Sequence, residues 1–103
     1  MNYKRISIDE AKALIVDSPN IHIVDIRDDE SYENGHINEA FHLHNSNLQE
    51  FIEDADPEQP LLVYCYHGHM SQGAAAFFAE RGFGNAFSLD GGYEAWSENE
   101  SGD

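Results

Sequence analysis

The sequence predicts a single α/β domain: a mainly parallel, five-stranded central sheet with helices on both faces. Three observations carry that expectation. Five short apolar runs alternate with five helix-like segments along the chain, and strands separated by helices pair in parallel. The two strongest runs, "NIHIVDI" (20–26) and "PLLVYCY" (60–66), are apolar almost throughout, as strands buried on both faces must be. The length of 103 residues suits one domain over 1–103, and the chain shows no linker, internal repeat or low-complexity block.

The elements follow in order. "YKRISI" (3–8) reads as a first strand. Ser7 followed by Glu10 fits a capping box, opening a helix to about Asp17 with Ala11, Leu14 and Ile15 on one face. The run 20–26 is the second strand. Asp29 opens a short acidic helix closed by Asn34 and Gly35. "AFHLH" (40–44) is a third strand, and "SNLQEFIED" (46–54) a helix that groups Leu48, Phe51 and Ile52. The run 60–66 is the fourth strand, with Pro60 tolerable at its start. "SQGAAAFFAERG" (71–82) is the clearest helix, ended by Gly82. "NAFSLDGG" (85–92) is the last strand and "YEAWSENE" (93–100) a terminal helix; residues 98–103 are expected to include a disordered tail.

Charge and cysteine content narrow the function. Twenty acidic residues face five basic ones, a net charge of −15. Nucleic acid phosphates and anionic membranes would both be repelled, so neither is expected as a partner. The acidity is either a solvated coat that keeps the protein soluble or a docking face for a basic partner. One cysteine allows no internal disulfide. The N-terminal stretch has no signal-like apolar core, and no apolar run reaches the ~20 residues of a membrane span. A reducing, cytoplasmic setting is expected.

That single cysteine, Cys65, falls where the fourth strand meets the clearest helix. In open parallel sheets ligands bind at the carboxyl ends of strands. If residues 66–71 curl round the sulfur, their N–H groups and the first helical turn form an anion cradle. Such a cradle favours thiolate over thiol. Gly68 supplies a positive φ or close backbone approach, while Gly73 and Ala74–Ala76 are expected to let the helix pack closely beneath. The competing reading is a small buried hydrophobe.

Three segments resemble the rhodanese family of sulfurtransferases. "CYHGHMS" (65–71) is similar to the family's active-site loop. "IVDIRDDESYENGHINEAFHL" (23–43) is similar to its amino-terminal signature, and "LDGGYEAW" (89–96) to its carboxyl-terminal element. They occur in the family's order and, with their spacing, cover nearly the whole chain. Size and the Cys-Tyr-His-Gly loop bring the chain nearest the single-domain, GlpE-type thiosulfate sulfurtransferases. The resemblance implies a rhodanese-type fold and thiosulfate as sulfur donor. Cys65 would be the nucleophile that carries sulfur as a persulfide, and cyanide or a thiol the acceptor in a ping-pong cycle. The backbone N–H groups of Tyr66, His67, Gly68, His69, Met70 and Ser71 would bind the substrate. No metal or organic cofactor is implied. A thioredoxin-like protein is a candidate acceptor, and the chain is expected to act as a monomer or weak dimer.

Asp25 and Arg27, at the end of the second strand, are expected to form a structural ion pair near the site, with direct substrate contact by Arg27 as the other reading. His36 is expected to brace the fold through ring hydrogen bonds rather than to move protons. Tyr93 and Trp96 are expected to pack the last helix on the sheet, and Asp90 to Gly92 to turn beside the cysteine loop. A cysteine-dependent phosphatase requires Arg six positions after the cysteine to clamp phosphate; here Ser71 stands there. His42 and His44 share a strand face, yet no zinc-type spacing is present. The loop has no Lys or Arg, so His67 and His69 either lend positive charge or act only through their backbone. This keeps a second function in view, a persulfide carrier or sulfide-sensing module fed by another donor. An inactive interaction domain is disfavoured by the retained cysteine.

Overall fold

The computed structural model describes residues 2–101 and shows five strands and five helices in strict alternation. The strands are β1 (Lys4–Ile6), β2 (His22–Asp25), β3 (Phe41–His42), β4 (Leu61–Tyr64) and β5 (Ala86–Leu89). The helices are α1 (Ile8–Asp17), α2 (Asp29–Asn34), α3 (Leu48–Asp54), α4 (Met70–Glu80) and α5 (Gly92–Ser101). Every strand pair is parallel, in the order β1-β5-β4-β2-β3. The sheet is thus parallel throughout. Residues 102 and 103 of the expected tail lie outside the described residues, while 98–101 continue α5.

Strand β4 sits at the centre because all four of its residues are fully buried. Successive side chains on a strand point to opposite faces, and β4 divides its residues accordingly. Leu62 and Tyr64 join Ile6, Ala11, Ile23, Leu89 and Trp96 under α1 and α5. Leu61 and Val63 join Val24, Phe51, Ala75 and Phe78 under α3 and α4. Helices therefore cover both faces.

Local chemistry sets the helix ends. Ser7 Oγ accepts from the Glu10 N–H at 3.2 Å while the Glu10 carboxylate accepts from the Ser7 N–H at 2.9 Å. This reciprocal box satisfies two of the donors a helix start leaves unpaired. Helix α4 ends where Gly82 takes a φ of +102°, a conformation that costs glycine little.

Two expectations need correction. Helix α4 starts at Met70 rather than Ser71, so Met70 and Ser71 belong to its first turn and the loop proper is 66–69. Gly73 faces open space, with nothing within 4 Å of where its Cβ would be. Of the expected small residues Ala75 is the fully buried one, and it packs α4 on the sheet together with Phe78 and Ala79.

Candidate active site

Cys65 is the first residue after the central strand, and its side chain lies on the α4 side because Tyr64 takes the other. The residue is 6% exposed. Its Sγ accepts the N–H of Gly68 at 3.1 Å and the N–H of Ser71 at 3.3 Å, and lies 3.5 Å from Ser71 Oγ. Burial pushes the thiol pKa up. The Ser71 hydroxyl and the N–H groups of Ser71, Gly68 and Met70 outweigh it, leaving the thiol below its ordinary value.

The loop holds this shape because a second turn grips it from behind. Gly68, at φ +95°, sits so close to the β5–α5 turn that a Cβ there would lie 2.8 Å from the Gly91 nitrogen. A Cβ at Gly92 would lie 2.5 Å from the Cys65 carbonyl oxygen and 2.4 Å from that of Tyr66. Those two carbonyls accept the N–H groups of Tyr93 and Glu94, at 2.8 and 3.0 Å. The first turn of α5 thus occupies the Cys65 and Tyr66 carbonyls, and of the six N–H groups expected round the sulfur those of Gly68 and Ser71 hydrogen-bond to it, whereas those of Tyr66, His67 and His69 do not. A donor-lined strand end of this kind can hold a thiolate and an anion beside it.

The rhodanese-like domain model matches residues 7–99 of the chain. The chain belongs to the rhodanese-like family. It is 46% identical over 97 residues to the thiosulfate sulfurtransferase GlpE of Shewanella oneidensis, covering 94% of this chain and 95% of that one. Identity to GlpE of Stutzerimonas stutzeri is 48% over 95 residues, covering 92% and 85%. Among solved structures, a rhodanese-like domain protein from Staphylococcus aureus aligns with a TM-score of 0.77 at 26% identity, over 90% of each chain.

The rhodanese-like domain brings the loop residues together but exposes them unequally. Gly68 and Ser71 are buried against the sulfur, whereas Tyr66, His67, His69 and Met70 are exposed. His67 Nδ1 lies 3.1 Å from Glu94 Oε1, and its ring meets the Tyr66 ring edge-on. His69 occupies the N-cap position of α4 without a side-chain cap. Among the described residues no cluster of three His, Cys, Asp or Glu side chains is placed to hold a metal ion.

Asp25 and Arg27 form a buried ion pair. Arg27 Nη2 meets Asp25 Oδ2 at 2.7 Å, with the two side chains 6% and 0% exposed. The Arg27 Nε and N–H also donate to Asp25, and Nη2 donates to the Gly35 carbonyl at 2.7 Å. Burial lowers the guanidinium pKa, but the hydrogen bonds and charge of Asp25 more than restore it. Tyr93 lies against the guanidinium, 4.2 Å from ring centroid to Cζ, with the Tyr64 ring at 5.5 Å. The pair ties β2 to α5, and through Gly35 to the end of α2. His36 lies nearby, its Nδ1 2.7 Å from the Tyr32 carbonyl and its ring stacked on Tyr32 at 3.8 Å.

A cavity of about 1030 Å³ lies elsewhere, between α1, α5 and residues 36–39. It contains none of the residues 65–71. What the cysteine cradle offers a substrate is the set of donors around the sulfur. Sequence reading missed Glu94 and Ser88. Ser88 carried a usable signal: a polar residue between Phe87 and Leu89 in a strand that is otherwise apolar.

Proposed function

We propose that the protein is a thiosulfate sulfurtransferase working through a Cys65 persulfide. The observation that carries this is the pairing of Cys65 Sγ with the Gly68 and Ser71 N–H groups at a helix start. The naming of relatives with 46% and 48% identity as thiosulfate sulfurtransferases supports the donor. The Cys65 thiolate attacks the outer sulfur of thiosulfate, forming a new S–S bond. The bond from that sulfur to the sulfonyl group breaks, and sulfite leaves with its electron pair. A thiolate acceptor, or cyanide, then attacks the terminal persulfide sulfur and releases the Cys65 thiolate. Splitting one transfer into two covalent steps lowers each barrier. The loop N–H groups are aimed where negative charge resides in both steps.

The acceptor in this reading is a small thiol protein of thioredoxin type, and the chain works in the cytoplasm as a monomer or weak dimer. Among the described residues no helix is long and apolar enough to cross a membrane. A second reading, a carrier charged by another protein's persulfide, is favoured by one feature: residues 66–71 contain no Lys or Arg to attract a dianion.

Intact mass after brief incubation with thiosulfate tests the first reading. One added sulfur on the wild type, absent from Cys65→Ser and removed by cyanide, is the expected result. A folded wild type that gains no mass rejects thiosulfate as donor.

A further inference from the structure

Ser88 lies within β5 with no exposed surface, and its partners in the register of the sheet are Val63 of β4 and Arg5 of β1. A buried hydroxyl in a central strand is costly unless its hydrogen bonds are made. Among the described residues, the Ser88 hydroxyl makes one side-chain hydrogen bond, to Ser71 Oγ at 2.8 Å. Ser71, equally buried, stands 3.5 Å from Cys65 Sγ through the same oxygen. The three atoms form a chain running from the sheet interior to the sulfur.

We propose that Ser88 is a positioning residue for the sulfur chemistry, its hydroxyl donating to Ser71 Oγ so that the Ser71 proton is committed to the Cys65 sulfur. The inference rests on Cys65 being the reactive thiolate. Proton counting gives the direction. With a thiolate the chain holds two hydroxyl protons and two links, and each proton fills one link: Ser88 to Ser71, Ser71 to sulfur. With a thiol both links can still be filled, sulfur to Ser71 and Ser71 to Ser88, but the Ser88 proton is then left without a side-chain acceptor among the described residues. Every proton of the chain is used only when the sulfur is ionised.

Without Ser88 the Ser71 hydroxyl has an alternative. Its oxygen loses the incoming donor, and a serine hydroxyl at a helix start is free to turn to another backbone acceptor. The sulfur would then keep the two N–H contacts and lose the hydroxyl. The charged and titratable groups on the segments around the thiol are Tyr64, Tyr66, His67, His69, Asp25 with Arg27, Arg5 with Asp90, Tyr93 and Glu94. A change at Ser88 removes none of them, so any shift in thiol reactivity traces to the hydroxyl chain.

The test is the pH profile of iodoacetamide alkylation in wild type, Ser88→Ala, Ser71→Ala and the double variant, each checked for native folding by its thermal melt. Ser88→Ala is expected to move the profile to higher pH and slow alkylation at pH 6 about threefold, the scale of one net hydrogen bond. In the Ser71→Ala background the same change is expected to do nothing further, because Ser88 acts only through Ser71. Matching profiles for wild type and Ser88→Ala would overturn the proposal, as would an equal shift in both backgrounds. If Ser88→Ala does not fold, the isosteric pair Ser88→Thr and Ser88→Val replaces it. The Thr variant must then react as the faster of the two at pH 6, and equal rates refute the relay. No sulfur donor enters the assay, so failure of the wild type to take sulfur from thiosulfate would count against the sulfurtransferase reading alone.

Discussion

The backbone N–H of Tyr93 donates to the carbonyl of Cys65 at 2.8 Å, so the last helix of the chain holds the first residue after the central strand. Gly92 makes that contact possible. Its φ is +61°, and the two carbonyl oxygens nearest its absent Cβ belong to Cys65 and Tyr66. Gly92→Ala must push the loop and α5 apart, because neither obstacle is a flexible side chain. The expected cost is about 2–4 kcal/mol of stability, combining backbone strain with lost contacts. Sulfur transfer should fall further than the folded fraction does, since the N–H groups facing the sulfur move with the loop. Urea unfolding and thiosulfate:cyanide turnover on the same sample check both. Unchanged turnover in a folded Gly92→Ala protein would show that the grip does not shape the site.

The thiol of Cys65 titrates below its ordinary value in the fold. A depressed folded pKa contributes stability that is fully present above the unfolded value, about 8.5, and is lost as pH falls through the folded value. Serine at this position does not titrate. The stability of wild type minus that of Cys65→Ser is therefore expected to rise as pH goes from 6 to 9, whatever constant offset the substitution brings. Parallel curves across that range would contradict the assignment. Iodoacetamide should also alkylate the wild type appreciably at pH 6; reaction confined to pH above 8 points the same way as parallel curves.

Arg27→Leu leaves the Asp25 carboxylate fully buried with its main charge partner gone. Breaking a buried pair on one side costs about 3–5 kcal/mol. Replacing both partners with apolar residues removes the stranded charge, so Asp25→Leu/Arg27→Leu should be less destabilised than the sum of the single variants. A double-variant cycle by denaturant unfolding measures the coupling. Additive losses would mean the pair is not coupled as its 2.7 Å contact indicates.

The sequence carried the architecture because each element agreed with its neighbours. Leu61–Tyr64 is apolar at every position, which suits burial on two faces, and Ser7 with Glu10 marks a helix start by chemistry local to four residues. Cys65 was legible for the same reason, as the residue where one period gives way to another. What stayed hidden was set by tertiary contact. Ser71 and Ser88 are 17 positions apart, and His67 and Glu94 are 27 apart, so no local pattern pairs them. The role given to Gly73 failed because helical position alone does not say which face meets the sheet, and Gly73 points outward. The start of α4 was read one residue late because His69 and Met70 look like loop, whereas Met70 already has helical geometry.

The net charge of −15 gives the last expectation. Thiosulfate is a dianion, and the field of the whole protein opposes its approach even though the cradle itself favours anions. The two effects differ in range. The loop's N–H groups act over hydrogen-bond distances that salt scarcely screens, while the opposing field arises from carboxylates spread over the surface. At moderate ionic strength the Debye length is about 8–10 Å, enough to remove most of the second effect and little of the first. The second-order rate constant for persulfide formation from thiosulfate should therefore rise as potassium chloride is added. A neutral alkylating agent provides the control, since its reaction with Cys65 feels no such field and should change little. A rate constant that falls with salt would mean that a local positive charge outweighs the acidic surface at the point of entry.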